Sequence, residues 1–208
     1  MFLSYGNDRL YFHKNLLVRR IQAKRISTIL NFLDVQPADH LLDAGSGEGY
    51  LFTKARTCAR MVGADISPSA LNIATTRNPG AEWIRCNLQY MPFADHSFDK
   101  ICCSEVIEHV LDPTAVLREL HRVIKPDGRL VITIPNERNM NRLKDVVLQS
   151  AWGRYVFPKI PTRTEWHLTE YSPALLLNQL ETLFGVQRTK TLPWSWLPLG
   201  YGVLCRPK

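Results

Sequence analysis

The sequence predicts an α/β fold, a Rossmann-like seven-stranded and mainly parallel sheet covered by helices on both faces. Two observations predict it. Short apolar runs alternate with amphipathic stretches through the first five strands, the pattern of strand-helix-strand units. The first run also ends in a glycine-rich turn, which marks the nucleotide-binding corner of an open α/β sheet.

Residues 15–33 open the order as an amphipathic helix, with Leu16, Leu17, Ile21, Ile26, Ile29, Leu30 and Leu33 making an apolar stripe. Strands are expected at 40–44, 60–65, 82–86, 99–103, 129–134, 185–191 and 201–206. Helices are expected at 48–58, 69–77 and 113–124, the second entered through Ser67-Pro68. Lys125-Pro126-Asp127-Gly128 should stop the 113–124 helix and turn into the fifth strand. The last two strands enclose 192–200, which reads as too long for a tight hairpin. No internal repeat or low-complexity segment interrupts this order, and 1–208 reads as one domain with an N-terminal helical segment over 1–36.

Residues 41–49 read Leu-Leu-Asp-Ala-Gly-Ser-Gly-Glu-Gly. In a dinucleotide fingerprint, G-x-G-x-x-G, the third glycine counted from Gly45 would fall at Tyr50. Here it comes one residue early, at Gly49. Asp43 ahead of this turn would repel a phosphate but suits an ammonium or sulfonium, and S-adenosylmethionine is a ligand of that kind. Gly45 and Gly47 let the backbone lie against it. A second run ends at Asp65, about 20 positions past Gly45, where a carboxylate can grip a ribose diol. The alternative for Asp65 is a turn or cap aspartate, and both roles are compatible.

A third stretch, Cys86-Asn87-Leu88-Gln89-Tyr90-Met91-Pro92-Phe93, followed by Asp95-His96-Ser97-Phe98-Asp99, completes an ordered set. Across 41–49, 61–67, 91–99, 103–113 and 120–135 the chain resembles a class I S-adenosylmethionine-dependent methyltransferase of the type 11 branch, which includes quinone-biosynthesis enzymes. The resemblance implies that the final strand inserts antiparallel beside the fifth. It implies that Asp43, Gly45 and Gly47 line the methionine end of the cofactor, Asp65 takes the ribose hydroxyls and Ile66 packs on adenine. Asn87 stands where the family commonly has an acid, and it can still accept from the adenine amine through its carbonyl oxygen. Leu88 would supply the adjoining N–H, and Ser104 would end the fourth strand under the sulfonium.

Residues 137–170 are rich in Arg, Trp and other aromatics, and an excursion after the fifth strand lands over the ligand crevice. It reads as a substrate lid, with a helix near 140–151, against the alternative of a packing insertion. Methyl transfer mainly requires alignment, and a base where the acceptor must lose a proton. His109 and His167 are the candidate catalytic residues; for either one alone a structural histidine is the better reading, and sequence does not assign the base to one of them. Were the turn at 105–109 helical, Glu105, Glu108 and His109 would share a face able to bind a divalent metal, a pattern resembling some quinone and small-RNA O-methyltransferases. Metal is the minority reading, and no metal ligand is assigned.

Hydrophobic content of 45% and charged content of 22% are those of an ordinary globular chain, and no apolar run approaches the roughly 20 residues that span a bilayer. The N-terminus does not read as a secretion signal. Five cysteines without C-x-x-C spacing suggest buried thiols and a cytoplasmic setting, with Cys102 and Cys103 on opposite sides of a strand. A net charge of +7 and the cluster Lys14, Arg19, Arg20, Lys24 and Arg25 could attract nucleic acid, an acidic membrane or an anionic substrate, or could be a solvated helix face. The apolar run at 193–199 could add peripheral membrane contact, or be buried against the sheet edge. The leading reading is transfer of a methyl group to a small-molecule acceptor: oxygen or carbon of a quinone, lipid, sugar or natural-product precursor. RNA methylation and a non-catalytic cofactor-binding partner are the alternatives. Oligomeric state is not legible.

Overall fold

A computed structural model describes residues 16–55, 58–149, 168 and 171–208. Helix α1 (Leu16–Leu33) leads into β1 (His40–Ala44), a 3₁₀ turn (Leu51–Thr53), β2 (Arg60–Asp65), α2 (Pro68–Arg77), β3 (Glu82–Arg85) and β4 (Phe98–Ser104). A second 3₁₀ turn (Ile107–His109) precedes α3 (Pro113–Val123), β5 (Ile124–Pro135), α4 (Glu137–Gln149), α5 (Pro173–Leu180), β6 (Phe184–Trp194) and β7 (Leu197–Pro207). The seven strands form one sheet in the order β3-β2-β1-β4-β5-β7-β6. Strands β1 to β5 pair in parallel, and β7 inserts antiparallel between β5 and β6.

Side-chain alternation separates two cores. Leu42, Ile101, Ile132 and Val203 point to one face, where they meet Leu117 and Leu120 of α3 and Leu176 and Leu180 of α5. Leu41, Cys102, Val131 and Leu204 point to the other, under Ile26, Ile29 and Leu33 of α1. Cys102 and Cys103 accordingly lie in opposite cores, as strand periodicity requires, and the thiols of all five cysteines are free.

Local chemistry sets the helix starts. Ser67, Asp112 and Ser172 each cap a helix by accepting from the N–H three residues on, with Pro at the first turn. The expected helix at 48–58 is reduced among the described residues to the 3₁₀ turn. Only Leu51 and Phe52 of that turn are buried, and the Thr53 hydroxyl donates back to the Tyr50 carbonyl. The four residues expected as a turn, 125–128, are instead a bulged part of β5, with the pairing moving from Phe98↔Ile124 to Lys100↔Arg129. The expected long connection at 192–200 is also absent. Both strands extend to Trp194↔Leu197, leaving a tight turn at Ser195 and Trp196, after a register shift between Leu192 and Pro193. Trp194 and Trp196 stack at 5.2 Å and Trp196 stays exposed, so the aromatic run is a hairpin tip. No described helix is long and apolar enough to cross a membrane.

Candidate active site

The parallel strands end together, and their carboxyl ends carry the acidic residues singled out by sequence. Asp43, next to last in β1, stands opposite Cys102 of β4, and the thiol donates to its carboxylate. Burial, with Asp65 adding repulsion, pushes the Asp43 carboxyl up to about 7. The next residues turn through left-handed backbone at Gly45 (φ +81°) and Gly47 (φ +50°). A Cβ at Gly45 would come within 2.2 Å of a Val106 methyl, so the loop and the segment after β4 approach as closely as bare backbone allows.

Asp65 binds this loop to the second strand. One carboxylate oxygen accepts from the Gly47 N–H and the other from the Ser67 N–H, both at 2.8 Å. The cap role and a ligand role coexist here, since each oxygen keeps a second acceptor site. Ile66 follows with its side chain about half exposed (48%), whereas Leu88 is buried. The Asn87 carbonyl oxygen accepts from the Gln89 N–H at 3.0 Å. Ser104 ends β4 and shares a 2.8 Å hydrogen bond with Thr133. Asp43, Gly45, Gly47, Asp65, Ile66, Asn87, Leu88 and Ser104 all sit at or just beyond the carboxyl ends of β1 to β4.

The segment at 105–109 departs from the shared-face expectation. Its helical part is only the 3₁₀ turn Ile107–His109, and Glu105 lies outside it with φ +54°. Glu105 pairs with Arg25, Glu108 is fully buried, and His109 is exposed. The three residues therefore do not share one α-helical face, and among the described residues no group of three His, Cys, Asp or Glu could hold a metal. Burial, then the nearby Glu105, raises the Glu108 carboxyl to about 8. Neither of its carboxyl oxygens has a hydrogen-bond partner among the described residues. His167 and most of the lid stretch lie outside the described residues. Helix α4 opens that stretch, and at its far end the Leu168 N–H donates to the Glu108 carbonyl at 2.9 Å.

Arg25 is the site residue that sequence reasoning missed. It was grouped with a surface cluster, yet it is buried and reaches Glu105 across the crevice, while Arg19, Arg20 and Lys24 are exposed. The signal was its place on the helix: it falls three residues after buried Gln22 and four before buried Ile29.

Residues 42–132 match the family profile described as "Methyltransferase domain". The ubiquinone/menaquinone biosynthesis C-methyltransferase UbiE of Desulfotalea psychrophila is 33% identical over 110 residues, covering 50% of this chain and 45% of that protein. Over this central stretch the chain is similar to the type 11 methyltransferase domain. Methyltransferase GfsG of Streptomyces halstedii is 35% identical over 108 residues, covering 48% of this chain and 39% of that protein. The S-adenosylmethionine-dependent methyltransferase of Aquifex aeolicus shares the fold, with a TM-score of 0.68 at 18% identity, covering 97% and 98% of the two chains. The chain spans about half or less of the length of the curated relatives it matches.

The residues present fit the cofactor this family uses. The chain keeps a carboxyl buried at Asp43 whose charged form lacks a cation, beside a loop open to close backbone approach. A bound sulfonium or ammonium would favour the carboxylate, so binding should release a proton from Asp43. Cofactor affinity should therefore rise about tenfold from pH 6 to pH 8, for a group titrating near 7. Asp43→Asn should flatten that dependence. Calorimetric titration across this range checks it, and equal affinities in the wild type would remove Asp43 as charge partner. Without ligand the sign is opposite for folding: the raised value makes stability fall as pH climbs from the ordinary Asp range to about 7.

Proposed function

We propose that this chain transfers a methyl group from S-adenosylmethionine to a small-molecule acceptor, at oxygen or carbon of a quinone, lipid, sugar or natural-product precursor. The observation that carries this reading is the buried Asp43 beside the Gly45–Gly47 turn, with Asp65 pinning the same turn. When bound, S-adenosylmethionine supplies a methyl group already activated by its sulfonium. Asp43 offsets the positive charge in a water-poor setting, where a carboxylate acts strongly. Asp65 accepts from the ribose hydroxyls, while Ile66, Leu88 and Asn87 bound the adenine end. Ser104, held by Thr133, lies at the end of β4 toward the sulfonium.

On this reading 137–170 is the substrate lid of a single domain over 1–208, following β5 where the ligand crevice of such sheets lies. The names of relatives support this acceptor class, since UbiE is a quinone-biosynthesis C-methyltransferase. His109 is exposed at the crevice edge and His167 lies in the lid stretch; these are the candidate bases. Five free thiols suit a reducing, cytoplasmic setting. The test is transfer of labelled methyl from S-adenosylmethionine to quinols, catechols and lipid extracts. Saturable product formation, reduced by His109→Ala in kcat more than in KM, supports the reading. Tight cofactor binding without transfer to any acceptor would replace it with a non-catalytic cofactor-binding role.

A further inference from the structure

At the amino end of the parallel strands, opposite the end that carries Asp43, lies a concavity of about 210 Å³. Arg129, Arg188 and Arg206 line it, with the amides of Asn31 and Gln187, over Phe32 and Leu204. The sheet register explains the convergence. Val131 and Leu204 belong to the core under α1, and Arg129 and Arg206 stand two residues away on the same face of their strands. Arg188 pairs directly with Leu204 and so shares that face, as does Lys190 opposite Gly202. On α1, Arg20, Lys24, Ser27 and Asn31 make an exposed stripe at helical spacing that ends at the concavity.

No carboxylate lines this space. Asp34 pairs with Arg129 at 3.2 Å from outside it, and that aspartate is itself largely exposed. The side chains of Arg188 and Arg206 make no ion pair or hydrogen bond with any described residue. With only Arg129 offset by an acid, the gathered guanidinium groups repel one another, and an oxyanion between them removes that repulsion. Planar guanidinium forks and amide N–H groups match the oxygens of a phosphate. A volume of about 210 Å³ is enough to seat a phosphate or diphosphate head.

We propose that this concavity binds the phosphate or diphosphate group of a small phosphorylated ligand, at a site separate from the methyl-transfer crevice. The test is calorimetric titration of the full chain with pyrophosphate at physiological ionic strength, for wild type, Arg188→Gln, Arg206→Gln and the double variant. S-adenosylmethionine titrations on the same samples report whether each variant is folded and its cofactor site intact. The expected result is saturable one-to-one pyrophosphate binding, weakened about tenfold or more in the double variant, with cofactor affinity unchanged. Absence of saturable binding in the wild type, or equal binding in the double variant, would overturn the proposal. A single-stranded RNA oligomer is the third probe. Tight, salt-sensitive RNA binding that pyrophosphate does not displace would also overturn it, and would assign the basic face to a nucleic-acid backbone instead.

Discussion

Asp65→Ala is expected to weaken S-adenosylmethionine binding by roughly 100-fold to 10,000-fold. Two hydrogen bonds from ribose hydroxyls to a carboxylate contribute about 1.5–3 kcal/mol each, which gives that range. The carboxylate also holds the Gly47 and Ser67 N–H groups at 2.8 Å, so the variant loses the setting of the glycine turn along with the ribose grip. Asp65→Asn separates the two effects. It keeps one acceptor oxygen but loses the charge and one backbone bond, and should fall between wild type and Asp65→Ala. Calorimetry on variants matched by circular dichroism makes the measurement. An unchanged dissociation constant in a folded Asp65→Ala protein would detach this carboxylate from cofactor binding altogether.

Phe98→Ala is expected to cost about 3–5 kcal/mol of folding stability. Phe98 is fully buried at the start of β4, where the pairing with β5 shifts register. Its ring meets Phe93 edge-on, with centroids 5.1 Å apart at 83°, and the Arg60 guanidinium lies 5.9 Å from its centre. Arg60 is held there by Glu82 through two hydrogen bonds of 2.9 and 2.8 Å. Truncation leaves a cavity that strands on both sides cannot close, because their backbones are paired. For a chain of this size the cost corresponds to a fall in Tm of about 6–20 °C. Denaturant unfolding checks it, and a loss below about 1 kcal/mol would mean that this end of the sheet repacks freely. Cofactor affinity of the folded fraction should be unaffected, since the site lies at the opposite ends of the strands.

The parts of the site that follow from local chain chemistry were legible in the sequence. The Asp43–Gly49 turn, Asp65 and the Ser67 cap are short-range features, in which residue type and backbone conformation nearly coincide. Strand and helix positions followed from hydrophobic periodicity for the same reason. The C-terminal hairpin is tighter than the 192–200 connection expected, because both strands run on toward the tip and the edge strand tolerates Pro193 at a register shift. The face proposed for Glu105, Glu108 and His109 failed because it assumed α-helical spacing across a segment that bends through left-handed backbone at Glu105.

By itself, then, the sequence determined the fold class, the glycine turn and the two acidic strand ends, because each is written in neighbouring residues. Only the tertiary structure decided what Arg25 does, how far Asp43 is buried, and that Arg129, Arg188 and Arg206 share one concavity. Burial and charge pairing depend on which distant segments meet: Arg25 finds Glu105 across some 80 residues of chain, and the three arginines converge through strand register. Periodicity along the chain says which face a residue takes, but not what the opposite surface brings to it.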